Sequence, residues 1–184
     1  MPSISWSTST WPSTPLPAPM PITGILTSLA TRVASFAGIF SKTMAKQPAF
    51  MATMSGNQDN FAVGSDVTIV FGGTDRFDQG GDFASNTFTA PASGNYMINY
   101  NIIITSTDSA ATYYSLKIVT SNITYEPTII DPDYGQDNDY ISLSGSQLVD
   151  MDTSDTVHLA IRQGSGTQQT DISAASRFSG FLAC

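Results

Sequence analysis

The densest set of residues able to do chemistry is the stretch "DPDYGQDND" at 131 to 139, where Asp131, Asp133, Asp137 and Asp139 offer the oxygen ligands a hard cation such as calcium accepts. The spacing departs from an EF-hand loop: Gly135 stands where a third ligand belongs, and no glutamate closes the loop at the right distance. Aspartate and asparagine are also ordinary turn residues. The stretch therefore reads first as a solvated turn, with calcium a secondary expectation and no cofactor required. His158 is the only histidine. It sits in "DTVHLAI", alternating with Val157, Leu159 and Ile161, so it points away from the apolar face of a strand and reads as a lone surface histidine. Only a three-fold axis would bring several copies of it to one metal. Cys184, the single cysteine, has no local histidine, and no Gly-x-Ser-x-Gly nucleophile motif exists. No catalytic residue is assigned, and the chain is read as a non-enzyme.

Composition narrows the partners. Only 12% of the 184 residues are charged and the net charge is −8, with seven Lys and Arg in all. Nucleic acid and anionic membranes both need clustered cations, so neither is expected as a partner. No uninterrupted apolar run reaches the length of a membrane span. One cysteine permits no internal disulfide, which fits assembly in a reducing cytoplasm. The first basic residue is Arg32 and six prolines fall within residues 2 to 21, so a secretory leader is not expected. Without one, the acceptor triplet Asn122-Ile123-Thr124 reads as accidental.

Three regions must position whatever works. Residues 1 to 21 hold six of the ten prolines and both tryptophans, Trp6 and Trp11. Proline gives no ladder donor and biases its predecessor away from helix, so this is an extended arm, and tryptophan in such an arm reads as an anchor for a partner. Residues 22 to 46 switch to a helical period: Ile22, Leu26, Leu29, Val33, Phe36 and Phe40 recur every four or three residues on one stripe. This predicts an amphipathic helix for anchoring or oligomerisation, weakened at Gly24 and Gly38 by about 1 kcal/mol each relative to alanine.

From residue 48 to 184 the pattern is β. Runs such as "FAVGSDVTIVF", "TFTAPASGNYMINYNIIIT", "TYYSLKIVT", "YISLSGSQLVDM", "DTVHLAIRQG" and "SRFSGFLA" alternate with Gly, Asp, Asn and Ser clusters. Short strands so spaced predict a mainly β sandwich or jelly roll. Within it, Tyr96, Ile98, Tyr100, Ile102 and Ile104 form one bulky face, with Pro91 and Gly94 setting the turn that leads into it.

Those residues also carry a resemblance. "FDQGGDFASNTFTAPASGNYMINYNI", through Phe88, Pro91, Gly94 and Tyr96, is similar to the signature of the complement C1q-type globular head, and the ending "SRFSGFLAC", through Phe178, Gly180 and Phe181, resembles that family's closing strand. The resemblance covers residues 48 to 184. It implies the ten-stranded jelly roll shared with the tumour necrosis factor family, and a homotrimer.

Together these features give a structural expectation: a trimeric decoration or cement protein on a viral, most plausibly phage, capsid, made in the host cytoplasm and placed on the virion surface. The arm and helix would grip the shell protein. The alternative is a recognition module, a fibre tip or adhesin, whose loop aromatics Tyr125, Tyr134 and Tyr140 would stack on a glycan or receptor.

Overall fold

The computed structural model describes residues 47–73 and 76–184. The expected arm with Trp6 and Trp11, and the expected helix with Ile22, Leu26, Leu29, Val33, Phe36 and Phe40, lie outside the described residues.

Twelve strands form among the described residues: β1 (Ala49–Thr53), β2 (Val67–Thr68), β3 (Phe77–Gln79), β4 (Phe83–Ala84), β5 (Thr87–Thr89), β6 (Gly94–Thr105), β7 (Tyr114–Thr120), β8 (Thr124–Ile130), β9 (Tyr140–Met151), β10 (Thr156–Gln163), β11 (Asp171–Ile172) and β12 (Arg177–Leu182). They make two antiparallel sheets. In the first, β6 lies between β9 on one side and β12 and β11 on the other, and β1 and β3 continue outward from β12. In the second, β10 lies between β7, which carries β8, and the short strands β5 and β2, with β4 beyond β5. The resemblance implies ten strands; the larger number arises because several of these are two or three residues long.

The expected bulky face is the middle of the core. Tyr96, Ile98, Tyr100, Ile102 and Ile104 are all buried, while Asn95, Met97, Asn99, Asn101 and Ile103 turn the other way, as the two-residue period of a strand requires. Burying five such side chains contributes on the order of 10 kcal/mol before entropy. Opposite them, from the second sheet, stand Leu116, Ile118, Val157, Leu159 and Ile161. An aromatic cluster closes one flank: Phe50 stacks on Phe83 and Phe88 at 5.0 and 4.7 Å, and Phe178 meets Phe50 edge-on at 4.9 Å.

Two sequence expectations shift. "FAVGSDVTIVF" supplies only the two-residue β2, although Phe61, Ile69 and Phe71 are buried from the surrounding loop. Conversely, "TYEPTII" forms β8, a strand the sequence pattern does not announce because Glu126 and Pro127 break it. Proline is tolerated there because β8 is an edge strand with a register shift opposite Leu116 and Ile118.

The domain has two ends, separated by roughly 36 Å along β6. At the entry end the chain arrives at Gln47 and leaves at Cys184: Leu182 N–H donates to the Pro48 carbonyl and Asn95 N–H to the Cys184 carbonyl. At the far end lie loops 106–113, 131–139 and 164–170, where Thr107 N–H donates to the Asn138 carbonyl at 3.0 Å.

Candidate functional site

The residues able to do chemistry are not brought together. His158 is half-buried on the outer face of the second sheet, across from Val119 on β7, and burial pushes its imidazole pKa below the usual 6.5. Cys184 is exposed at the entry end, with its sulfur 3.6 Å from the Asn95 side-chain nitrogen. Among the described residues, no group of three or more His, Cys, Asp or Glu is placed to hold a metal ion.

The four aspartates of the acidic loop are spent differently. The Asp131 carboxylate accepts the Asp133 N–H at 3.1 Å in a local turn, and Asp133 and Asp139 face solvent. Asp137 instead reaches across to two other loops. It accepts the Ser109 N–H at 2.9 Å, the Ser109 hydroxyl at 2.8 Å and the Gln169 side-chain amide at 2.9 Å. The Ser109 backbone bond is the main cause that holds its carboxyl below the usual carboxylate range.

The aromatics expected to form a recognition platform divide. Tyr134 and Tyr140 are 57% and 75% exposed at the far end. Tyr125 is half-buried and packs against the core, because β8 turns it inward beside Ile118.

The signature residues are structural, with one exception. Phe88, Tyr96 and Phe178 are buried in the core. Pro91 is exposed in the turn before β6. Gly180 is there for space: a Cβ would stand 2.8 Å from both Ile98 Cδ1 and Phe50 Cε1. Phe181, by contrast, is 42% exposed on the outer face of the first sheet.

That outer face is the most distinctive surface of the domain. Strand register sets Leu148, Met97, Phe181 and Ala49 side by side across β9, β6, β12 and β1, with Ser146, Asn99, Ser179, Met51 and Phe77 in the next row. Phe77 and Leu148 are each 46% exposed. Over these five strands the only charged outward side chains are Asp150 and Arg177. A groove of about 510 Å³ runs along it, lined by Met51, Phe77, Gln79, Asn99, Ser179 and Phe181. The neighbouring edge strand β9 is twelve residues long and holds no proline, lysine or arginine. Such an edge is a template for further pairing unless something covers it.

The second sheet's outer face is of the opposite kind. Lys117 bridges Asp66 at 2.8 Å and Glu126 at 3.9 Å, and Arg162 reaches Asp66 at 3.4 Å. Lys117 is largely covered, but its partners Asp66 and Glu126 are open to solvent, so these pairs add little stability and suit a surface in contact with water. The edge beside it, β8, carries Glu126, Pro127 and a bulge, each of which discourages pairing.

A two-sheet antiparallel jelly roll with one sparsely charged face and one face carrying ion pairs, and no assembled catalytic set among the described residues, defines a globular head domain. The C1q domain matches residues 49–183, and the chain belongs to that family. Among solved structures, it is similar to the globular domain of the zebrafish complement 1qA protein, at 16% identity and a TM-score of 0.53, over 75% of this chain and 98% of that one. It is similar also to murine APRIL, at 8% identity and a TM-score of 0.53, over 74% of this chain and 99% of that one. These likenesses concern the fold. No curated protein matches the chain.

Proposed function

We propose that the protein is a homotrimeric structural head that decorates a viral capsid, most plausibly that of a phage, held to the shell protein through residues 1 to 46. The observation that carries the self-association is the outer face of the first sheet. A sparsely charged surface bearing Phe181, Phe77, Leu148, Met51 and Met97 beside an unprotected edge strand is costly to leave in water, and a second copy supplies cover of matching chemistry. Support for the capsid role comes from the sequence: the low charge, the proline-rich stretch with Trp6 and Trp11, and the helical spacing of apolar residues from Ile22 to Phe40. A binding or scaffolding task suits a domain whose strongest features are faces rather than clefts with titrating groups.

Light scattering on full-length protein tests the first part. Phe181→Asp and Met51→Asp are expected to shift the trimer to monomer with the β signal intact, because each puts a charge into the covered face. A trimer unchanged by both sinks this assignment of the interface. Attachment is tested separately with purified particles. Trp6→Ala with Trp11→Ala is expected to abolish binding while the trimer remains.

A second reading is favoured by Tyr134 and Tyr140, exposed at the end opposite the chain entry. In it the head is a recognition module. Loss of attachment on Tyr134→Ala or Tyr140→Ala, with the tryptophan variant still binding, selects that reading over the first.

A further inference from the structure

We propose that Asp137 is a proton-sensitive latch that tightens the far-end loop 131–139 onto its two neighbours, and that protonating it loosens the loop while the sandwich stays folded. The geometry is specific. One carboxylate oxygen takes both the N–H and the hydroxyl of Ser109 from loop 106–113, and the other takes the Gln169 amide from loop 164–170, so a single side chain closes a three-loop junction. Asp133, four residues earlier and exposed, makes no such bridge.

The charge at this junction has no cationic partner among the described residues. A second carboxylate, Asp108, is buried at 6% exposure and accepts the Ala110 N–H at 2.8 Å and the Thr167 N–H. The Tyr114 hydroxyl, beside it, is raised by burial first and then by the charges of Asp108 and Asp137. Asp131, Asp133, Tyr134 and Asp139 complete the titratable set of the loop itself, Tyr113 ends loop 106–113, and no lysine, arginine or histidine lies in any of the three loops. Neutral donors alone hold the anion, so the latch depends on the carboxylate being ionised. Protonation removes one acceptor position and places an O–H against donors that need an acceptor.

The sign follows from the depressed carboxyl. The latch is complete above the ordinary aspartate value of 3.8 and is lost as pH falls through the lower folded value. The loop is not set adrift at that point. Pro132 is buried, and Thr107 still exchanges hydrogen bonds with Asn138, at 3.1 Å from hydroxyl to carbonyl and 3.2 Å from N–H to hydroxyl. Release therefore means faster local opening confined to the far-end loops.

Hydrogen exchange on the full chain, read by mass spectrometry at pH 7, tests this. Asp137→Asn removes the charge: its carbonyl can still face Ser109, but its NH2 finds an acceptor only if the Gln169 amide flips and gives up its contact with the Thr107 carbonyl. Peptides covering 106–113, 131–139 and 164–170 are expected to exchange about threefold faster or more, with β6 and β10 unchanged. Gln169→Ala, which removes one arm of the latch without touching a charge, is expected to act in the same direction. Asp133→Asn is expected to leave exchange as in the wild type. The proposal is overturned if Asp137→Asn and Gln169→Ala exchange like the wild type, or if Asp133→Asn matches them.

Discussion

The Tyr100 hydroxyl in β6 lies 2.8 Å from the Thr128 hydroxyl oxygen in β8, joining the two sheets at the flank where β8 and β9 form their edges. The contact exists because Gly145 in β9, paired with Tyr100, has no Cβ; one placed there would fall onto the phenol oxygen. A tyrosine long enough to cross the sandwich, a hydroxyl to receive it and a glycine to make room come from three strands. They act as one unit.

Tyr100→Phe is accordingly expected to cost about 1 kcal/mol, the usual worth of one hydrogen bond whose remaining partner is still partly solvated. Gly145→Ala is expected to cost about 1–3 kcal/mol, because the tyrosine must shift off its rotamer or the strands must part. The two are coupled: removing the hydroxyl removes the nearest clashing atom, so Gly145→Ala should cost less in a Tyr100→Phe background. Urea unfolding of the four proteins checks this at one fixed protein concentration. Strict additivity would show that the hydroxyl is not what the missing Cβ accommodates.

Gly94 supports a prediction at the entry end. A Cβ there would stand 2.6 Å from the Cys184 carbonyl oxygen and 2.7 Å from Leu182 Cδ1. The same carbonyl accepts the Asn95 N–H at 2.8 Å, and Ala183 N–H returns a bond to the Asn95 carbonyl. Gly94→Ala should therefore displace the last residues of the chain, destabilising by about 1–3 kcal/mol. Amide exchange at residues 181–184 should quicken more than in the middle of β6. Equal exchange in both regions would place the strain elsewhere.

The sequence made some of this visible and hid the rest for identifiable reasons. The β6 face was readable because a strand buried on one side repeats every two residues, and the aromatic signature at Phe88, Tyr96 and Phe178 falls in the core where those residues belong. Gly94 was readable as a turn residue, but its closer constraint is the C-terminal carbonyl, ninety residues away in sequence. Phe181 stood among the signature residues, yet alternation along β12 puts it opposite Phe178's neighbour Gly180 and out on the surface. Asp137 reads in the sequence as one of four solvated turn aspartates, secondarily as a cation ligand, because composition cannot show that Ser109 and Gln169, 28 and 32 residues distant, come to meet it. Loops have no period, so pairings between them leave no trace in spacing.

A last prediction concerns pH. Among the described residues His158 is half-buried without an acidic partner, and burial lowers its pKa from 6.5. The unfolded chain then takes up a proton near pH 6.5 before the folded chain does, so stability is full above that value and declines as pH falls toward the folded pKa. Asp66 works in a lower window. Its carboxyl is held below 3.8, first by the hydrogen bond from Lys117, so its share of stability is present above 3.8 and lost as pH drops through the folded value. That share is small, because the Asp66 side chain is well exposed and screened. Urea midpoints measured from pH 3 to pH 8 should show a shallow decline beginning near 6.5 and a second below 3.8. His158→Gln should remove the first and leave the second; Asp66→Asn should soften only the second. If His158→Gln retains the decline between pH 6.5 and 5, the burial of His158 is not its cause, and the imidazole is better solvated on the outer face of the second sheet than its packing beside β7 implies.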